Sequence, residues 1–113
     1  MKRVIIESPF KAQDHVGHRE NVSYAKMALR DSLMRGEAPL AFHLLYTQCL
    51  NDAVAEEREL GMKVSREWYK HVDIIAVYED YGTSSGMESG ITYAGNLILE
   101  GYELEIDYRR LKD

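Results

Sequence analysis

The chain has little cysteine, little proline and no long apolar run. A single cysteine, Cys49, forms no internal disulfide, which fits a reducing, cytoplasmic setting. Two prolines and no low-complexity stretch leave no sign of a linker or a disordered tail, and there is no internal repeat. The apolar runs are a few residues each, far short of the roughly 20 that span a bilayer. The opening Met1-Lys2-Arg3 leads into an apolar run that Glu7 ends at once, unlike a signal peptide. Lysine and arginine never exceed two in a row and the net charge is -5. That speaks against a protein tracking a nucleic-acid backbone and leaves room for a single nucleoside or nucleotide. GxGxxG, Walker and Ser-His-Asp patterns are also missing. His15 and His18 lie three apart with no cysteine or third histidine beside them, and a zinc site needs three or four ligands. No metal or cofactor is expected.

What is present fits one soluble domain over residues 1–113, with 45% hydrophobic and 29% charged residues. Apolar periodicity predicts alternating elements. Residues 3–6 read as a buried strand, followed by a polar loop from Ser8 to about Arg19. Val22, Ala25, Leu29 and Leu33 mark a helical face that stops at Gly36. Residues 39–45 read as a second strand. Leu60, Val64 and Trp68 mark a second helix, and its start carries Glu56, Glu57 and Glu59. Val72 to Tyr78 is the strongest strand, nearly all apolar, as in a strand covered on both faces. Met87, Ile91, Ala94 and Ile98 mark a third helix closed by Gly101. Residues 102–108 read as a last strand, at an edge. This β-α-β-α-β-α-β order predicts a three-layer α/β/α sandwich of the flavodoxin or Rossmann kind, with a mainly parallel sheet of about four to five strands. Such sheets bind ligands at the carboxyl ends of their strands. The loops there are Glu7 to Arg19, the stretch around His43 to Gln48, and Glu79 to Glu88.

The last of these loops holds Ser85-Gly86-Met87-Glu88. The spacing fits a capping box, with Ser85 as cap and Glu88 three residues on. It equally fits a carboxylate presented beside a ligand at a helix N-terminus, where the helix dipole favours the ionised form. An ionised carboxylate can attack an electron-poor sugar carbon. Gly86 and Gly90 leave room beside it, and Gly90, inside a helix, costs about 1 kcal/mol relative to alanine, which asks for a reason.

Several stretches together resemble the nucleoside 2-deoxyribosyltransferase-like superfamily, including its short phage-type members of unknown function. They are the first strand running into Ser8-Pro9-Phe10, the helix ending near Gly36, Ala38-Pro39, and Asp73 to Tyr78. Ser85-Gly86-Met87-Glu88-Ser89-Gly90 completes the likeness. The resemblance implies cleavage or transfer at an N-glycosidic bond of a nucleoside or nucleotide, with Glu88 as the nucleophile. It places Ser8, Pro9 and Phe10 beside the sugar or base, and Asp80, Ser84 and Ser85 in the same pocket. It also implies a homodimer. The chain departs from the transferases in two places. The stretch Val64-Ser65-Arg66-Glu67 has no carboxylate where they carry an aspartate, and Gly82 stands where they carry another. A non-catalytic binder of a nucleotide or nucleotide-derived signal, such as a phage accessory protein, is the alternative.

Other residues at the ligand edge complete the candidate site. His43 lies there, either in the pocket or as a hydrogen-bonded structural histidine. Tyr46 and Tyr81 are in position to stack on a base, and Gly86 and Met87 flank Glu88. Asp80 or Glu79, the nearest carboxylates in sequence, or a bound water would protonate the departing base. Trp68 is expected to pack on the sheet, Cys49 to be a small buried hydrophobe, and Arg58 to start the second helix with the option of pointing into the site.

Overall fold

The computed structural model describes residues 1–12 and 14–112. Four strands form one parallel sheet: β1 (Arg3–Glu7), β2 (Ala38–Leu40), β3 (Ile74–Tyr78) and β4 (Glu105–Arg109), in the order β2-β1-β3-β4. The helices are α1 (His15–Met34), the short α2 (Phe42–Leu45), α3 (Ala55–Glu67) and α4 (Ser85–Leu99). Single 3-10 turns follow α2 and α3, at Tyr46–Gln48 and Trp68–His71. This is the expected three-layer α/β/α arrangement, with four strands and β4 at an edge. Among the described residues no helix is long and apolar enough to cross a membrane.

Strand alternation divides the core in two. Val4, Ile6, Ile74, Ala76 and Tyr78 face α1, while Ile5, Ile75 and Val77 face α4. Every residue of β3 is buried, as its composition requires. By the same alternation Glu7, two residues after Ile5, turns toward the α3 and α4 side.

The helices differ from their expected faces in informative ways. Helix α1 begins within the expected loop, capped by Asp14, whose side chain accepts a hydrogen bond from the Gly17 amide at 2.7 Å. Its buried residues are Tyr24, Ala25, Ala28 and Ser32, not the Val22-Ala25-Leu29-Leu33 stripe, and Leu33 is exposed. The reason is polar. Arg109 of β4 runs under the sheet on this side, donating to both carboxylate oxygens of Glu37 at 2.7 and 2.8 Å. Ser32 donates to the same carboxylate at 2.7 Å. The inner face of α1 therefore ends in a small hydroxyl rather than a leucine.

Residues 39–45 are not one strand. Pairing with β1 stops at Leu40, and residues 42–45 turn into α2. Trp68 does not reach the sheet; it is exposed on one side and stacks on Phe42, with ring centroids 6.1 Å apart. Leu60 and Val64 are exposed as well, because the other side of α3 borders a cavity. Cys49 is exposed rather than buried.

Helix α4 corrects the expected cap by one residue. Ser84 is extended (φ -81, ψ 168) and its hydroxyl accepts from the Met87 amide at 3.2 Å, while the Ser84 amide donates to Met87 Sδ at 3.4 Å. Met87, fully buried, sets this phase. Buried residues then recur at Met87, Gly90, Ala94 and Leu97, leaving Ile98 exposed. Ser85 is the first helical residue and Glu88 the fourth, too far along to close a capping box. We predict that Ser84→Ala lowers stability by about 1 kcal/mol and Ser85→Ala by under about 0.5 kcal/mol, measured by urea denaturation. The reverse order would restore the cap expected from spacing.

Candidate functional site

The sheet order reverses between β1 and β3, which pair Glu7 with Val77 at their carboxyl ends. A ligand crevice is expected at such a point. A cavity of about 400 Å³ opens there, between the sheet edge and helices α2, α3 and α4. Its size suits a small organic ligand.

The carboxyl at its floor is Glu7. Strand alternation points it inward, and Tyr69, itself buried, donates a hydrogen bond to Glu7 Oε1 from the turn after α3. Burial pushes the Glu7 carboxyl up from 4.5 to about 7, against the Tyr69 hydrogen bond and the Arg66 charge, which pull it down. Arg66 also donates to Ser89 Oγ on α4 and lies over the Tyr93 ring, so one arginine ties α3 to α4 beside the carboxyl.

Gly90 explains itself here. A Cβ at that position would lie 2.6 Å from Glu7 Oε1 and 2.9 Å from the Tyr69 hydroxyl. A larger residue there would require the carboxyl or its donor to shift. The cost of glycine inside a helix is offset by a polar pair packed against the helix backbone.

A second polar pair lies across the same cavity. Ser8, immediately after Glu7, is buried, and its Oγ is 2.7 Å from His43 Nε2 on α2. The Phe10 ring meets the His43 ring edge-on at 6.2 Å. Burial holds the His43 imidazole down at about 4, so it is neutral at neutral pH. Phe42 and Tyr46 stack at 5.4 Å and add an aromatic wall, and Arg58 and Arg66 reach the cavity from α3.

Of the site residues expected from sequence, Ser8, Phe10 and His43 border the cavity from one side. Ser84, Ser85, Gly86 and Met87 border it from the start of α4. Pro9 is buried between Ser8 and Phe10 without forming part of the wall. Three residues lie elsewhere. Glu88 is exposed on the outer side of α4, and the Thr83 hydroxyl lies 3.3 Å from its carboxylate. Asp80 latches the chain end: its carboxylate accepts from the Leu111 and Lys112 amides at 2.8 and 3.0 Å and from the Tyr24 hydroxyl at 2.5 Å. Burial opposes ionisation of Asp80, and these hydrogen bonds outweigh it and hold the carboxyl below its ordinary range. Tyr81 is exposed and packs on Tyr24, with centroids 4.6 Å apart.

Glu7 and Tyr69 were not singled out by sequence reading. The available signal was Glu7 itself: a carboxylate two residues after Ile5, at the carboxyl end of the first strand. Tyr69 carried none, because its approach to Glu7 bridges 62 positions of sequence.

Because the folded pKa of Glu7 is raised above its unfolded value, its contribution to stability is complete below about 4.5 and is lost as pH rises through about 7. Comparing wild type with Glu7→Gln by denaturation at pH 5 and pH 8, the wild type should lose on the order of 3 kcal/mol relative to the variant. A difference independent of pH would contradict a buried, titrating carboxyl.

No curated protein and no solved structure matches the chain. Residues 2–102, which include every residue of the cavity wall, match a family described as a domain of unknown function, DUF7768. The protein belongs to that family.

Proposed function

We propose that the cavity takes a nucleoside or nucleotide, and that the protein cleaves or transfers at its N-glycosidic bond with Glu7, rather than Glu88, as the attacking carboxylate. The observation that carries this reading is the Glu7 carboxyl, turned into an aromatic-walled cavity at the switch point of a parallel sheet and held near half-ionised at neutral pH. The resemblance to the nucleoside 2-deoxyribosyltransferase-like superfamily supplies the substrate class. Glu88 is exposed and is not among the residues that border this cavity.

In this chemistry a Glu7 carboxylate oxygen attacks the anomeric carbon. The carbon–nitrogen bond breaks, and its electron pair leaves with the base, which takes up a proton from solvent water. Water or a second base then attacks the same carbon and releases Glu7. Two inversions restore the starting configuration. Tyr69 keeps the attacking group in place through its hydrogen bond.

A non-catalytic nucleotide binder is the second reading. It draws support from the other carboxylates bordering the cavity, which are engaged: Glu57 accepts from the Asn51 amide at 3.1 Å, and Asp52 lies 4.0 Å from Arg58.

A screen of deoxynucleosides and their monophosphates, with product analysis, separates the two. The enzyme reading predicts β-configured products, and a kcat/KM that rises with pH through about 7, because only ionised Glu7 attacks. Glu7→Gln should lower turnover by at least about a hundredfold, and Glu88→Gln should change it less than about twofold. Inverted products, or loss of activity in Glu88→Gln alone, would overturn the role of Glu7. Tight binding of an intact nucleotide without turnover would establish the binder.

A further inference from the structure

The Ser8–His43 pair carries information that the proposed reaction does not use. Ser8 Oγ and His43 Nε2 are 2.7 Å apart, so one hydrogen lies between them. Either the serine hydroxyl donates to Nε2, or Nε2–H donates to the serine oxygen. Hydrogen-bond accounting separates the two.

Ser8 is 5% exposed, and among the described residues its Oγ has no partner other than His43. If Nε2–H were the donor, the serine's own proton would have no protein acceptor among the described residues and only a narrow opening to the cavity. A buried donor without a partner costs about 1–3 kcal/mol. If Ser8 donates instead, its proton is used, Nε2 is the acceptor, and the neutral ring carries its hydrogen on Nδ1. The imidazole is neutral because burial holds it at about 4.

Nδ1 has no hydrogen-bond partner among the described residues, yet no buried side-chain nitrogen or oxygen among them lacks one. Nδ1 is therefore not sealed from solvent, and His43 is among the residues that border the cavity. Phe10, Phe42 and Tyr46 border the same space and suit a planar ring beside this edge.

We propose that His43 is a specificity-determining residue of the cavity: Ser8 locks it as the tautomer protonated on Nδ1, and Nδ1–H is offered to a hydrogen-bond acceptor on a planar ligand ring, such as a carbonyl oxygen or an unprotonated ring nitrogen. The identity of the ring as a nucleobase rests on the proposed function; the tautomer does not. In the glycosidic reaction such a donor strengthens its bond as negative charge grows on the departing base. A neutral imidazole serves in that role without becoming an acid.

Nitrogen-15 NMR of histidine-labelled protein tests the tautomer with no ligand present. His43 should show a protonated Nδ1 and an unprotonated Nε2, unchanged from pH 6 to pH 8. Ser8→Ala should release the lock and return the ring toward the Nε2–H form that free histidine prefers. A protonated Nε2 in the wild type, or an imidazolium at pH 6, would overturn the proposal. The ligand arm uses deoxyuridine, deoxycytidine, deoxyadenosine and deoxyguanosine as probes, with binding read by calorimetry. For any probe that binds, Ser8→Ala and His43→Phe should each weaken affinity by roughly 5- to 30-fold. An unchanged affinity in both variants would remove His43 from recognition. Failure of all four probes to bind would count against the nucleobase, while the tautomer measurement would still decide the lock.

Discussion

One buried carboxyl sets the terms for this end of the molecule. Glu7 ends β1 on the side that strand alternation turns toward α4, so the fold must either solvate it or enclose it with a partner. It does both in part. Tyr69 donates to it, Arg66 stands near it, and the backbone of α4 closes over it at Gly90, where a side chain would strike the carboxyl. The remaining side opens into the cavity. Helix α3, which supplies Arg66 and leads into Tyr69, spans this space without burying a single residue of its own. The cavity and the exposed outer stripe of α3 are thus two consequences of one arrangement.

The opposite face of the sheet solves a similar problem by closing it completely. Arg109 is 4% exposed and is matched by both oxygens of Glu37, by Asp107 at 2.8 Å and by the Tyr78 hydroxyl at 3.2 Å. Tyr78 in turn donates to Asp31 at 2.7 Å. Each nitrogen of the Arg109 guanidinium has a protein partner, so the network ties β3 and β4 to α1. The contrast between the two faces singles out the candidate site. Charge is fully matched under α1, whereas beside α4 a carboxyl and an imidazole keep open edges.

Much of the fold was legible because its signals are local. The run Val72 to Tyr78 and the alternation of strand and helix periods were enough for a parallel three-layer sheet. The helix faces were harder to read. Leucines at helical spacing suggest a core stripe, but α1 turns Ser32 inward to meet Glu37, and α3 turns its leucine and valine outward because a cavity occupies its inner side. The site was legible as a place rather than as a chemistry. Ser8, Phe10, His43 and the start of α4 meet where the strand order reverses, as expected. The helix cap was misplaced by one residue because a Ser-x-x-Glu spacing is visible in sequence, whereas the shift of the cap to Ser84 goes with the burial of Met87. The meeting of Glu7 with Tyr69 depends on how α3 returns to the sheet, which no local pattern encodes.

The central claim is that Glu7 is enclosed enough to titrate near neutrality. Carbon-13 NMR titration of the glutamate side-chain carboxyls, with Glu7 assigned by comparison with Glu7→Gln, measures this directly. The account predicts a midpoint near 7 for Glu7, moving higher in Tyr69→Phe, where the hydrogen bond that favours the ionised form is lost. A midpoint at the ordinary 4.5, unmoved by that substitution, would contradict it.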